Sequence, residues 1–341
     1  MKILIAGTGA LGMMFSAFLS EKHDVVLFGF SKNVDFINNN GIKVSTPQGT
    51  KHYKNVKAFS NPKFIENEKF DLLITVVKSF ATKDYYDALE GIKSNISYAL
   101  SFQNGVKKED ELLDFIGKEK AISSACTIGA TFSDKGIVNY TSPGAIWLSL
   151  YEKTNSSVKF LEELSQVFID ASFPANIEID PIGLVWNKMV FYSAGAAIGC
   201  LTLLPYHLIW NSPNLCKVFL NALKEGKAIA ESEGIKLFDM KGLEVINLST
   251  TLSEDEAISI LNGKAKQLEA KNLKDLRVSM SVDIIRQKKT ELEYTLGDLY
   301  HRGAKNQLSI PVISTSYTVV KGLEELYLDR ERNFLYKYRL I

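Results

Sequence analysis

Residues 2–6, Lys-Ile-Leu-Ile-Ala, are a short apolar run that leads into Gly7-Thr8-Gly9-Ala10-Leu11-Gly12 and then into a small-residue, apolar-faced stretch over 10–20. A strand that ends in G-x-G-x-x-G and opens a helix is a cradle for a pyrophosphate. Gly7 permits the tight turn, Gly9 lets the backbone approach the phosphates, and Gly12 permits close helix–strand packing, while the helix N-terminus favours the negative charge. The same turn can be purely structural; the strand before it and the helix after it are what give it a ligand. The residue that chooses between nicotinamide cofactors lies about 20 positions on. There the chain reads Phe28-Gly29-Phe30-Ser31-Lys32, with no acid to bind ribose hydroxyls. Ser31 and Lys32 can donate to a 2′-phosphate, so the expected cofactor is NADP(H). A loop lysine that is merely solvated is the competing reading of Lys32.

Further along, Lys78 follows an apolar run ending at Val77, and Asn104 lies in Phe102-Gln103-Asn104-Gly105-Val106 after the next such run. Both belong at the carboxyl edge of a parallel sheet, where open α/β sheets bind ligands, although Asn-Gly is also an ordinary turn signal. In Leu184-Val185-Trp186-Asn187-Lys188 a single lysine begins a long uncharged stretch. Desolvation lowers the pKa of such a lysine and suits it to give up a proton, and snorkelling of its ammonium to water is the equal alternative. Ser279-Met280-Ser281-Val282-Asp283 continues to Thr290-Glu291-Leu292-Glu293-Tyr294. By residue type alone Glu291 reads as a solvated helical acid.

The elements that must position these groups are legible from periodicity. Strands are expected at 2–6, 23–28, 70–77 and about 98–102, with helices between them over 10–20 and to about Lys93, which implies a doubly wound parallel sheet. From about 121 to 150 Gly, Ser and Thr mix with β-branched residues, suggesting antiparallel strands that finish the sheet. Beyond about 180 the stretches 182–201, 212–234, 254–268, 281–303 and 313–327 read as helices. Pro174, Pro181 and Gly183 mark a boundary, giving an α/β fold with a Rossmann-type domain over 1–178 and an all-helical substrate and catalytic domain over 179–341.

At 341 residues with 46% hydrophobic and 23% charged residues, the chain has the composition of an ordinary two-domain globular protein. A formal net charge of +1 argues against nucleic acid or an anionic membrane as partner. Cys126, Cys200 and Cys216 are widely spaced, and His23, His52, His207 and His301 are scattered, so neither a disulfide framework nor a metal site is expected; a reducing cytoplasm fits. The first 19 residues superficially resemble a secretory leader, but glycines at strand-to-helix spacing argue against one. The uncharged run from Met189 to Trp210 has the length of a bilayer span, yet Pro205 breaks it, and a helix buried on all sides is expected.

Taken in order and spacing, the glycine turn, Val76-Val77-Lys78, Gln103-Asn104-Gly105, Trp186-x-Lys188 and Ser279-Met280-x-x-Asp283 leading to Thr290-Glu291 resemble the ketopantoate reductase (2-dehydropantoate 2-reductase) family. The resemblance implies that Lys188 is the catalytic lysine, giving a proton to the alkoxide as hydride from the nicotinamide attacks the 2-oxo carbon. It implies that Glu291 bonds the substrate hydroxyl, that Ser279 receives the substrate carboxylate, that Asn104 stands near nicotinamide and substrate, and that Lys78 stands at their shared edge. It further implies a site in the cleft between the domains, closing on binding. The family carries asparagines one and two turns after its lysine, and this chain has Tyr192 and Ala196 there. Tyr192 can still offer a hydroxyl to substrate; Ala196 cannot hydrogen-bond. The implied activity is NADPH-dependent reduction of ketopantoate in pantothenate and coenzyme A synthesis, by a cytoplasmic monomer or homodimer. The alternatives are a reductase of another small 2-oxo acid, or a protein that senses NADPH without chemistry.

Overall fold

The computed structural model describes residues 1–30, 32–133 and 137–329. It divides into two compact units, the first formed by Met1–Gln103 with Lys107–Val185, the second by Asn104–Val106 with the chain from Trp186 onward. The division falls within a helix, Pro181–Thr202, and a three-residue piece of the N-terminal half, beginning at Asn104, belongs with the second unit.

Among the described residues of the first unit twelve strands run in chain order: β1 (Lys2–Ala6), β2 (Asp24–Phe28), β3 (Ile42–Thr46), β4 (Gly49–Tyr53), β5 (Lys57–Phe59), β6 (Phe70–Thr75), β7 (Ile96–Ser101), β8 (Ala121–Cys126), β9 (Gly129–Phe132), β10 (Val138–Ser142), β11 (Ile146–Leu150) and β12 (Ala175–Ile177). Eight of them form one sheet in the order β12-β11-β8-β7-β6-β1-β2-β5. All neighbours from β5 to β8 are parallel, and β11 closes against β8 antiparallel. Apolar runs on both faces explain this burial. Ile3 and Ile5 of β1 pack on one side with helices Ala10–Leu19 and Asn155–Asp170, while Leu4 and Ala6 pack on the other with Thr82–Leu89 and Lys107–Ile116. The chain leaves β1 toward β2 on one side and returns to β6 on the other, so strand order reverses between β1 and β6, and the glycine turn stands at that switch point. The Rossmann-like layer architecture is therefore present.

The strand boundaries differ slightly from expectation: β6 ends at Thr75, two residues before Val77, and the last strands do not all finish the main sheet. β9 and β10 instead join β3 and β4 in a separate four-stranded sheet ordered β4-β3-β10-β9. The cause is the outer flank of helix Ala10–Leu19, where the Phe18 ring stacks on Tyr53 at 6.0 Å and meets Tyr140 edge-on at 6.2 Å. The second sheet covers that aromatic flank and removes it from water.

The second unit is helical, with Pro181–Thr202, Tyr206–Asn211, Pro213–Ser232, Glu254–Ala270, Ser279–Ile285, Leu296–Lys305 and Pro311–Leu328. Helix Pro181–Thr202 is long and apolar enough to cross a membrane, and 89% of its apolar window is buried inside the protein. It stops at Thr202, followed by Leu203 at φ +55° and then Pro205. The expected helix over 281–303 is a correction: it is two helices, Ser279–Ile285 and Leu296–Lys305, separated by an irregular segment with a short 3-10 turn at Leu292–Tyr294. Gln287 at φ +52° ends the first of them, and the break places Glu291 off any α-helix.

Candidate active site

In the first unit the glycine turn has the form of a phosphate cradle. Gly7 adopts φ +129°, and a Cβ there would lie 3.0 Å from the Val76 carbonyl carbon and from the Val77 side chain. A Cβ on Gly12 would lie 1.9 Å from the Gly7 oxygen, so any side chain would force the helix off the turn. Gly9 differs from both: it is exposed, caps helix Ala10–Leu19 without a side-chain bond, and a Cβ there would meet nothing within 4 Å. Open space at an exposed backbone cap, above a first turn with no acidic residue, fits a pyrophosphate. Thr8 is buried, and its carbonyl accepts the Asn33 side-chain amide at 2.9 Å, which ties the turn to the loop after β2. Lys32 is exposed at the start of helix Asn33–Asn40, and Ser31 lies outside the described residues. The first acid after β2 is Asp35, exposed in the first turn of that helix. Lys78 is half-buried just past β6, its carbonyl accepting the Ala81 N–H at 2.8 Å.

The other sequence candidates are gathered in the second unit. Glu291 is 5% exposed and Lys188 is 6% exposed, so both ionisable groups are withdrawn from water. The reading of Glu291 as a solvated helical acid is thus corrected. Its main chain is fixed on both sides: the buried Glu324 carboxylate accepts the Thr290 N–H at 2.6 Å, the Thr290 hydroxyl accepts the Leu292 N–H at 3.2 Å, and the Thr295 hydroxyl donates to the Glu291 carbonyl at 3.0 Å. The Asn104 amide nitrogen lies 3.5 Å from Glu291 Oε2. What holds Asn104 there is Gly105, at φ +86°, whose Cα faces the Tyr294 carbonyl so closely that a Cβ would lie 2.0 Å from its oxygen. The Asn-Gly pair is therefore a docking point on the turn that carries Glu291, beyond an ordinary reversal of the chain.

Lys188 and Tyr192 are one turn apart on the same helix face. The Tyr192 hydroxyl is 2.9 Å from the exposed Ser279 hydroxyl, which starts helix Ser279–Ile285. Burial, and after it the charge of Glu291, push the Tyr192 phenol well above its ordinary pKa, so it remains a protonated donor. Ala196, the second departure from the expected asparagines, is fully buried, while a Cβ on neighbouring Gly195 would press on the Tyr206 hydroxyl at 2.4 Å. Asn187 is fully buried and pairs with the main chain of Phe238, accepting its N–H at 3.2 Å and donating to its carbonyl, which fixes the helix on which Lys188 stands.

Sequence reading missed several supporting groups. Gln103 is buried and bonds both Ser101 and Thr82 through its side-chain amide at 2.8 Å. Lys108 is 2% exposed and donates to the carbonyls of Ser101 at 2.7 Å and Ser124 at 2.8 Å, tying β7 to β8, and it is paired with Glu109, which in turn accepts the Tyr151 hydroxyl at 2.6 Å. The lysine and glutamate sit in a helix of otherwise amphipathic, charged composition, and nothing local distinguishes them from solvated neighbours. Glu324 is 34 positions from the backbone it holds, a distance that leaves no sequence signal.

Family models described as "Ketopantoate reductase PanE/ApbA" and "Ketopantoate reductase PanE/ApbA C terminal" match residues 3–153 and 181–324. A 2-dehydropantoate 2-reductase of Pyrococcus abyssi is 29% identical over 327 residues, covering 96% of this chain and 99% of the relative. Among solved structures, a PanE/ApbA family ketopantoate reductase from Ralstonia eutropha superposes with a TM-score of 0.75 at 22% identity, covering 96% of this chain and 100% of that one. A D-mandelate dehydrogenase, solved with NADH and anilino(oxo)acetate, superposes with a TM-score of 0.79 at 18% identity, covering 96% of this chain and 99% of that one.

Proposed function

Because the chain belongs to the ketopantoate reductase PanE/ApbA family, we propose that it reduces 2-dehydropantoate to pantoate with NADPH, Lys188 acting as the general acid. The observation that carries this reading is that the second unit buries both a lysine, one helical turn before the tyrosine of the Tyr192–Ser279 hydroxyl pair, and a glutamate whose carboxylate lies 3.5 Å from the Asn104 amide. When bound, the nicotinamide supplies a hydride to the 2-oxo carbon. Negative charge then develops on the carbonyl oxygen, and the Lys188 Nζ stabilises it and delivers the proton that makes the alcohol. Burial strengthens that interaction, because a charge facing a developing alkoxide away from bulk water is poorly screened. Glu291 and Asn104 orient the substrate hydroxyl, and Tyr192 and Ser279 donate to the carboxylate. Gly7, Thr8, Gly9, Ala10, Leu11 and Gly12 would hold the cofactor's pyrophosphate, Lys78 would serve the cofactor and substrate edge, and Lys32 with Ser31 would donate to a 2′-phosphate.

A second reading, a reductase of another small 2-oxo acid, is favoured by Tyr192, whose ring is bulkier than the asparagine expected there and reads the substrate through a single hydroxyl. The D-mandelate dehydrogenase of similar fold, solved with an oxo acid and NADH, lends it and NADH support. Steady-state kcat/KM for ketopantoate and a panel of 2-oxo acids, each with NADPH and NADH, tests both readings. Ketopantoate with NADPH is expected to be best, and an equal or better rate on another acid overturns the substrate. Lys32→Glu is expected to shift preference from NADPH toward NADH, and an unchanged ratio removes Lys32 from the 2′-phosphate site.

A further inference from the structure

At the carboxyl end of β2, where an adenosine ribose is met in dinucleotide folds, this chain presents an aromatic ring to solvent. Phe30 is 52% exposed, although it lies just past a strand whose last four residues are buried. It is not loose. Its ring meets Tyr85 edge-on at 4.8 Å and Phe28 edge-on at 5.2 Å, and Phe28 and Tyr85 meet each other at 5.8 Å, so two buried rings fix the inner edge of Phe30. The Phe30 N–H reaches the Tyr85 hydroxyl at 3.4 Å. The segment is also locked to the phosphate turn: the Gly7 N–H donates to the Phe28 carbonyl at 2.9 Å, and Gly29 approaches Thr8 so closely that a Cβ would lie 2.7 Å from its side chain. Phe30 is thus a half-exposed aromatic face, held by two rings, on a segment bonded to the glycine turn.

We propose that Phe30, held by Phe28 and Tyr85, is the platform on which the cofactor's adenine stacks. The inference rests on the dinucleotide reading of the glycine turn and deepens it by assigning the base-binding residue. Every purine has a π-face, so stacking contributes to NADPH and NADH alike, whereas choice between them falls to groups near the 2′-position such as Lys32.

The test is calorimetric titration of the full-length protein and three variants, Phe30→Ala, Phe30→Leu and Phe30→Trp, with NADPH, NADH and 2′-phospho-ADP-ribose, which carries adenine without nicotinamide. Phe30→Ala is expected to weaken all three ligands by about tenfold, equivalent to about 1.4 kcal/mol. Phe30→Leu, which keeps apolar bulk without a π-face, is expected to weaken them nearly as much, and Phe30→Trp to bind within about twofold of the parent. Thermal unfolding of Phe30→Ala should stay close to the parent, since the ring is half exposed. The assignment is overturned if Phe30→Ala binds 2′-phospho-ADP-ribose as the parent does, or if Phe30→Trp is as weak as Phe30→Ala. Failure of the unsubstituted protein to bind any of the three overturns the dinucleotide reading itself.

Discussion

Replacing Gly105 by alanine tests how Asn104 is placed. Gly105 stands at φ +86°, where an L-residue costs about 1–2 kcal/mol, so the substitution is strained before any neighbour is considered. The new methyl would also begin 2.0 Å from the Tyr294 oxygen, and a carbon held closer than 3.0 Å to a backbone atom is not tolerated, so the two segments must move apart by about 1 Å. Overpacking of this kind adds about 1–3 kcal/mol. Together the expected loss is about 2–5 kcal/mol, which for a unit of this size lowers Tm by about 5–15 °C. The same displacement carries the Asn104 amide away from Glu291, where it already stands at 3.5 Å, and a misplacement of about 1 Å is expected to lower kcat/KM by about 10²-fold. Differential scanning fluorimetry and steady-state kinetics on the purified variant read the two effects separately. A Tm within about 2 °C of the parent together with kcat/KM within about threefold would refute both the strain and the placement.

Lys188→Ala is expected to lower kcat by about 10²–10⁴-fold while calorimetry finds NADPH binding preserved; near-normal turnover would remove Lys188 as the acid. Tyr192→Phe is expected to raise KM for the oxo acid. Since the phenol is held above its ordinary pKa it stays protonated across the assay range, so the variant should keep the parent's alkaline limb in kcat/KM against pH, and loss of that limb would make Tyr192 the titrating group. Lys108→Met should destabilise by about 3–5 kcal/mol, seen as a lower urea midpoint, because it strands the buried Glu109, and Lys108→Met with Glu109→Leu should recover part of the loss. A double variant no more stable than the single one would show that the carbonyls of Ser101 and Ser124, rather than Glu109, are what Lys108 satisfies.

The chain's local chemistry determined the parts that repeat at short range. The glycine turn, the buried strands and the long apolar helix were legible because backbone freedom at Gly7 and uninterrupted apolar runs act over a few residues. Lys78 and Asn104 stood out by their place after apolar runs and Lys188 as the one charge heading an uncharged stretch, and the roles proposed for them and for Ser279 came from the order of short motifs rather than from any one of them. Glu291 marks the limit: its residue type and the surrounding periodicity point to a solvated helical acid, and only the tertiary structure has the helix broken and the side chain buried, with Glu324 holding the neighbouring Thr290 N–H from 34 positions away. The second sheet followed the same logic. β3 and β4 pair with β9 and β10 because an aromatic flank on a distant helix needs covering, a demand set by where surfaces meet in space. Phe30 reads in the sequence as one more apolar residue after a strand, and its exposure beside the phosphate turn exists only once β1 and β2 are side by side.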